Sequence, residues 1–168
     1  MKLLAIYDDP FWEDQIIETY RATARVFLRN QLGQIAFLVI VGEDNLGKRN
    51  HLETCGGGVE ANESFIDAAK RELMEELGAI AKDFTEIGCV IWRLNRLRRI
   101  SIETYFEAQL VSLGHHTNRT DEEKVLIEKV VWLSEKEALE RLSSYDSAVD
   151  FMVHRRDLTA LKALLNLD

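Results

Sequence analysis

The run Ile35–Val41 constrains the fold most, because every residue in it is apolar. A strand of this kind is buried on both faces, so other layers must cover both sides of its sheet. Thr19–Leu28 is rich in β-branched and apolar residues and indicates a second strand. The turn residues Asn30–Gly33 lie between the two, which predicts that these strands form a hairpin.

The next segment predicts a loop, a short extended piece and a helix. Glu43–Asn50 is polar and contains a glycine, so we expect a loop there, followed by extended chain over His51–Thr54. Ser64 is a good N-cap for a helix that runs to about Leu77. Gly78 then ends the helix, as glycine commonly does at this position.

The second half of the chain predicts three strands and two helices. The strands are Ile87–Leu94, Ile100–Leu110 and Val125–Leu133. A capping box, Ser134 with Glu137, opens one helix, and the final helix covers Ser147–Leu165. Hairpins are mixed with helices without regular βαβ alternation, which favours the α/β class with a mixed sheet flanked by helices. The chain has no repeats and one proline, so we expect one domain over residues 1–168, with 1–15 as a candidate N-terminal extension.

Composition narrows the function. The net charge of −8 repels phosphate polymers and argues against nucleic-acid binding, but a divalent cation can join an acidic protein to a small phosphorylated ligand. No apolar run is long enough to span a bilayer, so no membrane partner is expected. Two unclustered cysteines, Cys55 and Cys89, favour a reducing, cytoplasmic setting. A homodimer is compatible with these observations.

Three glutamates on the predicted helix are the first candidates for chemistry. Glu72, Glu75 and Glu76 are spaced i, i+3, i+4 and therefore project from one sector of the helix. Their mutual repulsion is relieved by a divalent cation such as Mg²⁺ or Mn²⁺, whose preferred ligands are carboxylate oxygens. Arg71 can form an ion pair with Glu75. Taken alone, the helix fits a solvated acidic face better than a cation site.

A triple glycine before the helix strengthens the cation interpretation. Gly56–Gly58 lets the backbone come close to a ligand or metal, although a lone glycine turn is weak evidence. Together with the acidic helix at fixed spacing, it predicts a site for metal and phosphate.

The combined pattern resembles the complete Nudix box, Gly-x5-Glu-x7-Arg-Glu-U-x-Glu-Glu-x-Gly-U, where U is a bulky aliphatic residue. Its fixed letters fall on Gly57, Glu63, Arg71–Glu72, Glu75–Glu76 and Gly78. Ala79 is aliphatic but small for the final U, and Cys55 stands where many members of the family have proline. The match covers 23 residues, from Gly57 to Ala79.

The resemblance implies a Nudix-type α/β/α sandwich and an Mg²⁺-dependent hydrolase, with Mn²⁺ as the alternative cation. Such an enzyme cleaves a nucleoside diphosphate linked to another moiety by water attack at phosphorus. The implied metal ligands are Glu72, Glu75, Glu76 and a backbone carbonyl near Gly57. Glu75 or Glu76 is the implied proton acceptor, Arg71 pairs with one of the glutamates, and Glu63 supports the loop.

Residues outside the box give weaker predictions. Nudix enzymes often recruit a further base or ligand from a late loop, and four candidates stand here: Glu103, Glu122, Glu123 and Glu128. For each of them a solvated acidic position is the better interpretation. Arg93 belongs to the basic group that extends to Arg99 and is the candidate for substrate binding, although an exposed hairpin tip explains such a group as well.

Two other functions compete with the hydrolase. A ligand-sensing or regulatory domain with the same fold usually loses glutamates from the box, and none is missing here. Isopentenyl-diphosphate isomerisation needs cysteine and glutamate motifs that Cys55 and Cys89 do not obviously supply.

Overall fold

The computed structural model describes residues 1–44, 47–114 and 116–167, without the side chains of Asp44 and Glu122. Within this part of the chain the strands are β1 (Leu3–Tyr7), β2 (Thr19–Arg29), β3 (Ile35–Asp44), β4 (Gly47–Glu53), β5 (Cys55–Gly58), β6 (Ala79–Leu94), β7 (Arg99–Leu113) and β8 (Ile127–Leu133). The α-helices are α1 (Phe65–Leu77), α2 (Asp121–Leu126), α3 (Glu135–Leu142) and α4 (Ala148–Leu164).

The described strands form one mixed sheet in the order β1-β6-β7-β2-β3-β4, with β5 added to β2 and β8 added to β3. β2 runs parallel to β7 along its whole length, from Thr19 opposite Arg99 to Arg29 opposite Gln109. β1 pairs in parallel with β6, so part of the segment 1–15 belongs to the sheet.

Helices cover both faces of this sheet, and the alternation of side chains along β2 shows why. Ala24, Val26 and Leu28 pack in one apolar cluster with Leu73 of α1. Phe27 points to the opposite face, into a second cluster that includes residues of α3 and α4. Successive residues of a strand point to opposite faces, so β2 is covered on both sides. The predicted α/β class with a mixed sheet between helices is confirmed.

The predicted hairpin of β2 and β3 is wrong beyond its first pair of residues. Of the described residues, only Arg29 and Ile35 are paired in register between these strands. Beyond that point β2 pairs with β5 instead, from Val26 opposite Cys55 to Thr23 opposite Gly58. The two strands diverge, and the space between them becomes part of the site described below.

Two predicted boundaries also need correction. The loop expected over Glu43–Asn50 is largely a strand pair, because β3 continues to Asp44 and β4 starts at Gly47; residues 45 and 46 lie outside the described part. Polar residues fit there because β4 ends the sheet and exposes alternate side chains. The strand expected from Val125 starts only at Ile127, because a capping box of Thr120 and Glu123 opens α2.

None of the described helices combines the length and apolarity that a bilayer crossing requires.

Candidate active site

Helix α1 begins and ends where its local signals predict. The hydroxyl of Ser64 accepts a hydrogen bond from the backbone N–H of Asp67, which caps the N-terminus. Gly78 ends the helix in the left-handed conformation, with φ of 64°, and its N–H donates to the carbonyls of Leu73 and Met74. These caps hold the acidic side chains of α1 next to strand β5.

Glycines in β5 bring the backbone against β2 and α1. Gly56 has φ of 139°, and a β-carbon there would come within 2.0 Å of the carbonyl oxygen of Ala24. A β-carbon on Gly57 would come within 2.3 Å of Oε1 of Glu72. Contacts under 3.0 Å are not seen for real side chains, so the backbone contact requires glycine at position 56, whereas a side chain at position 57 would displace the Glu72 carboxylate.

Three carboxylates converge beside these glycines. One ligand oxygen from each of Glu72, Glu76 and Glu123 lies within 4.8 Å of the others. Glu72 and Glu76 are each only 6% exposed. Burial raises the pKa of Glu72 and raises the pKa of Glu76 to about 8, despite hydrogen bonds to Glu76 from Cys55 and Gly56. Clustered, desolvated carboxylate oxygens are the donor set that a hard divalent cation requires, so these residues fit Mg²⁺ or Mn²⁺.

Cys55 belongs to this arrangement as a hydrogen-bond donor. Its thiol lies 2.7 Å from Oε2 of Glu76, and the backbone N–H of Gly56 donates to the same oxygen at 2.8 Å. Burial, followed by the charge of Glu76, raises the pKa of the Cys55 thiol. The thiol is therefore neutral, which makes it a packing and positioning group and not a nucleophile.

Arg71 of helix α1 connects this helix to the segment that precedes it, between β5 and α1. Its guanidinium donates to both carboxylate oxygens of Glu63, at 2.9 and 3.0 Å, and to the carbonyl oxygen of Gly58 at 2.8 Å. It also donates to Glu72 at 2.8 Å and to Glu75 at 3.2 Å. Glu75 and Glu72 thus share Arg71 as a partner, but only Glu72 of these two is in the cluster with Glu76 and Glu123.

A cavity of about 260 Å³ opens beside the three carboxylates. One part of its lining is acidic, with Glu72, Glu76 and Glu123. Another part is basic, and its members are Arg21, Arg25, Arg49, Arg99 and Arg156. Apolar residues of β3, α2 and β8 complete the wall, among them Leu38, Leu126 and Ile127.

The deep end of the cavity is a network of buried ion pairs. Glu103 binds Nε of Arg25 at 3.0 Å and lies 3.4 Å from Arg156, and it also accepts hydrogen bonds from Thr23 and Trp92. Burial alone would raise the pKa of Glu103, but Arg156 and Arg25 lower it to about 2. Its oxygens already have several donors, so Glu103 is placed as a structural anion and is a poor proton acceptor.

The other sequence candidates are dispersed. Glu128 is exposed on β8 and lies 3.6 Å from Lys129. Glu122 lies outside the residues whose side chains the structure describes. Arg93 does not line the cavity: its guanidinium donates to the side chain of Asn95 and to the carbonyl oxygen of Gln15. The basic side chains at the cavity come from β2, β4, β7 and α4.

Sequence reasoning missed Arg21 and Arg25, although β2 carried a signal for them. Arg21, Thr23 and Arg25 alternate with apolar residues, so the polar side chains share one face of the strand. When a strand is buried on both faces and one of those faces is polar, its polar side chains are expected to line a cavity. Arg99 belongs to the basic group that the sequence analysis named, but its position at the cavity could not be predicted because it depends on the pairing of β2 with β7.

Comparison with known proteins identifies the family and the fold. A family model described as the NUDIX domain matches residues 19–152. No curated protein sequence gives a match. Solved structures with similar folds are a NUDIX hydrolase from Nitrosomonas europaea (TM-score 0.62, 18% identity, covering 82% of this chain and 87% of that one) and a MutT NUDIX hydrolase from Burkholderia pseudomallei (0.60, 16%, 83% and 98%). The E. coli ORF135 protein is similar as well (0.60, 21%, 88% and 90%).

Proposed function

Since this chain belongs to the NUDIX domain family and is a pyrophosphohydrolase of that type, we propose that it cleaves a nucleoside diphosphate linked to another moiety, using Mg²⁺. The proposed ligands are Glu72, Glu75 and Glu76 of the box with the backbone carbonyl of Gly57, and Glu123 of α2 is added to them. Mn²⁺ is the alternative cation, because it accepts the same oxygen ligands.

The convergence of Glu72, Glu76 and Glu123 supports this proposal most strongly. The first two come from the box, whereas Glu123 comes from a helix far along the chain, yet one oxygen of each lies within 4.8 Å of the others. Bringing three carboxylates together at a desolvated position costs free energy unless a cation compensates their charge. A cavity with acidic and basic walls opens directly on this cluster.

When bound, the cation supplies positive charge to the phosphoryl oxygens and makes water in the cavity easier to deprotonate. We propose Glu75 and Glu76 as proton acceptors, and we add Glu123 because it lines the cavity. Glu75 is 30% exposed, so water reaches its carboxylate. Arg71 holds Glu63, Glu72 and Glu75 in place and keeps the loop attached to the helix.

The size and charge of the site favour a small substrate. A cavity of about 260 Å³ holds part of a nucleotide-sized molecule. The net charge of −8 gives little attraction for a nucleic-acid chain. We therefore propose a small phosphorylated nucleotide compound as the substrate.

A panel assay tests the proposal. The protein is incubated with Mg²⁺, and separately with Mn²⁺, and a set of nucleoside triphosphates, nucleotide sugars, ADP-ribose and dinucleoside polyphosphates. Phosphate is measured after addition of an auxiliary phosphatase or pyrophosphatase. We expect turnover of at least one compound, abolished by EDTA. If no compound is turned over with either cation, the proposed function is wrong.

A further inference from the structure

Four of the five arginines that line the cavity form two contrasting pairs. Arg25 and Arg156 are buried and bound to Glu53 and Glu103. Arg21 and Arg99 differ from them: in the part of the chain that the structure describes, neither side chain makes a hydrogen bond or an ion pair. Nε of Arg99 is buried without an acceptor among these residues. In a chain with 29 acidic and 21 basic residues, two arginines at a cavity without a carboxylate partner are an exception.

The parallel pairing of β2 and β7 places these two arginines at one end of the cavity. In register order, Arg21 lies opposite Ser101, and Thr23 lies opposite Glu103. All four residues line the cavity, as does Arg99. On this face Glu103 is ion-paired, whereas Arg21 and Arg99 carry positive charges without an ion pair among the described residues. Burial and the charge of Arg21 lower the pKa of Arg99 and together outweigh the attraction of the Glu103 carboxylate.

The arginine end lies next to the acidic cluster, because only glycines separate the two. A β-carbon on Gly57 would meet the carboxylate of Glu72, whereas one on Gly58 would come within 3.1 Å of the guanidinium of Arg21. Successive residues of a strand point to opposite faces, so the backbone of β5 has Glu72 on one side and Arg21 on the other. Both Glu72 and Arg21 nevertheless line the same cavity, so one extended ligand can contact both groups.

In the part of the chain that the structure describes, the cavity offers no free aromatic face for a base. Among the described residues, Trp92 is the only aromatic residue that lines it. Its indole N–H donates to Glu103 at 2.9 Å, and the guanidinium of Arg156 lies 5.1 Å from its ring centroid. Recognition here depends on charge and hydrogen bonds, which arginine provides for phosphate with two parallel donors.

We infer that Arg21 and Arg99 bind a second phosphate group of the substrate, so that the preferred substrates are diphosphates that carry a further phosphate. This inference rests on the proposed function for the reaction and adds the substrate class. The further phosphate has two sources, a longer polyphosphate chain or a phosphate monoester elsewhere on the molecule.

The first test measures binding without turnover. Inorganic tripolyphosphate is titrated by calorimetry, in EDTA, into the wild-type protein, Arg21→Gln, Arg99→Gln and the control Arg96→Gln. Arg96 is exposed at the hairpin tip, outside the cavity. We expect wild type and Arg96→Gln to bind equally and each cavity variant to bind about tenfold more weakly or worse, the effect of losing one charge-assisted hydrogen bond. The thermal unfolding midpoint of each variant shows that it is folded.

The second test compares matched substrates in Mg²⁺. Comparing ATP with ADP tests whether the further phosphate belongs to a longer polyphosphate chain. Comparing NADPH with NADH, and coenzyme A with dephospho-coenzyme A, tests whether it is a phosphate monoester elsewhere on the molecule. We expect at least one phosphorylated member to be preferred about tenfold in kcat/KM, and Arg99→Gln to remove most of that preference by raising KM.

The outcomes separate the two proposals. If the cavity variants bind tripolyphosphate as wild type does, or if wild type does not bind it, the inference is wrong whatever the enzyme hydrolyses. Turnover without preference in any pair also overturns it and leaves the hydrolase intact. Arginine-dependent binding without turnover of any compound supports the inference and overturns the proposed function.

Discussion

The backbone of Gly57 lies against the carboxylate of Glu72, so closely that a β-carbon on Gly57 would come within 2.3 Å of Oε1. The glycine of the loop and the first glutamate of the helix motif are therefore direct neighbours. This contact gives a physical reason for the fixed spacing between the two residues. The segment between them must bring helix α1 back beside β5, so that the Glu72 carboxylate packs against a residue that has no side chain.

Gly57→Ala tests this contact. The added methyl group displaces the Glu72 carboxylate, and we expect Mg²⁺ affinity and turnover to fall by about tenfold or more. The displaced atoms are the end of a flexible side chain, so stability should change by less than about 1 kcal/mol. Gly58→Ala is the comparison, because its methyl group meets Arg21 at 3.1 Å instead. Equal Mg²⁺ affinity in wild type and Gly57→Ala would contradict the account.

Glu76→Gln separates chemistry from folding. We expect turnover to fall by orders of magnitude with Mg²⁺, whereas Glu60→Gln, an exposed change in the same loop, keeps wild-type rates. Burial raises the folded pKa of Glu76 to about 8, above its ordinary 4.5. The metal-free wild type should therefore lose stability as pH rises from about 4.5 to about 8, and the variant should lose less. Unfolding in EDTA at several pH values measures this, and unchanged activity would show that the metal site is misplaced.

Arg71→Lys should weaken the loop although it keeps the charge. A lysine cannot bind both oxygens of Glu63 and the carbonyl of Gly58 together, as Arg71 does. We expect a loss of about 1–3 kcal/mol in the free energy of unfolding and a lower kcat. Urea unfolding and steady-state kinetics check this, with Arg96→Lys as the surface control. A variant with wild-type stability and kcat would show that the contacts of Arg71 do not matter.

Glu103 should make the protein sensitive to acid. Its folded pKa is about 2, below the ordinary 4.5, so its contribution to stability is present above about pH 4.5 and is lost as pH falls toward 2. Glu103→Gln leaves Arg25 and Arg156 partly uncompensated, and we expect it to cost about 3–5 kcal/mol at pH 7. The difference between variant and wild type should shrink below pH 4.5 in urea unfolding. A difference independent of pH would contradict this role.

Local signals were sufficient for helix α1. Ser64 and Gly78 predict its ends because each acts on backbone groups within one turn. The neighbourhood of Glu72 and Glu76 also follows from spacing alone, since residues four apart share a face. The glycines of β5 and the box pattern also predict where ligands bind, and the family match supports the family assignment behind that prediction.

Long-range pairing explains what the sequence did not reveal. Glu123 was one of four equal candidates, and it joins the cluster only because α2 packs beside β3. Arg99 reaches the cavity because β7 pairs in parallel with β2, a contact between distant segments. Glu103 was a candidate base, but its burial among arginines depends on α4 as well as on β2. These contacts join segments that are far apart in the chain, so no local sequence pattern predicts them.

The most direct test of the central claim is the Mg²⁺ dependence of hydrolysis in Glu123→Gln beside Glu128→Gln, with the best substrate of the panel. Glutamine at position 123 keeps the capping box of α2 but removes a carboxylate from the cluster. We predict that Glu123→Gln needs at least about tenfold more Mg²⁺ for half-maximal rate, whereas Glu128→Gln matches wild type. Hydrolysis independent of Mg²⁺, or the same Mg²⁺ requirement in both variants, would contradict a cation site built by Glu72, Glu76 and Glu123.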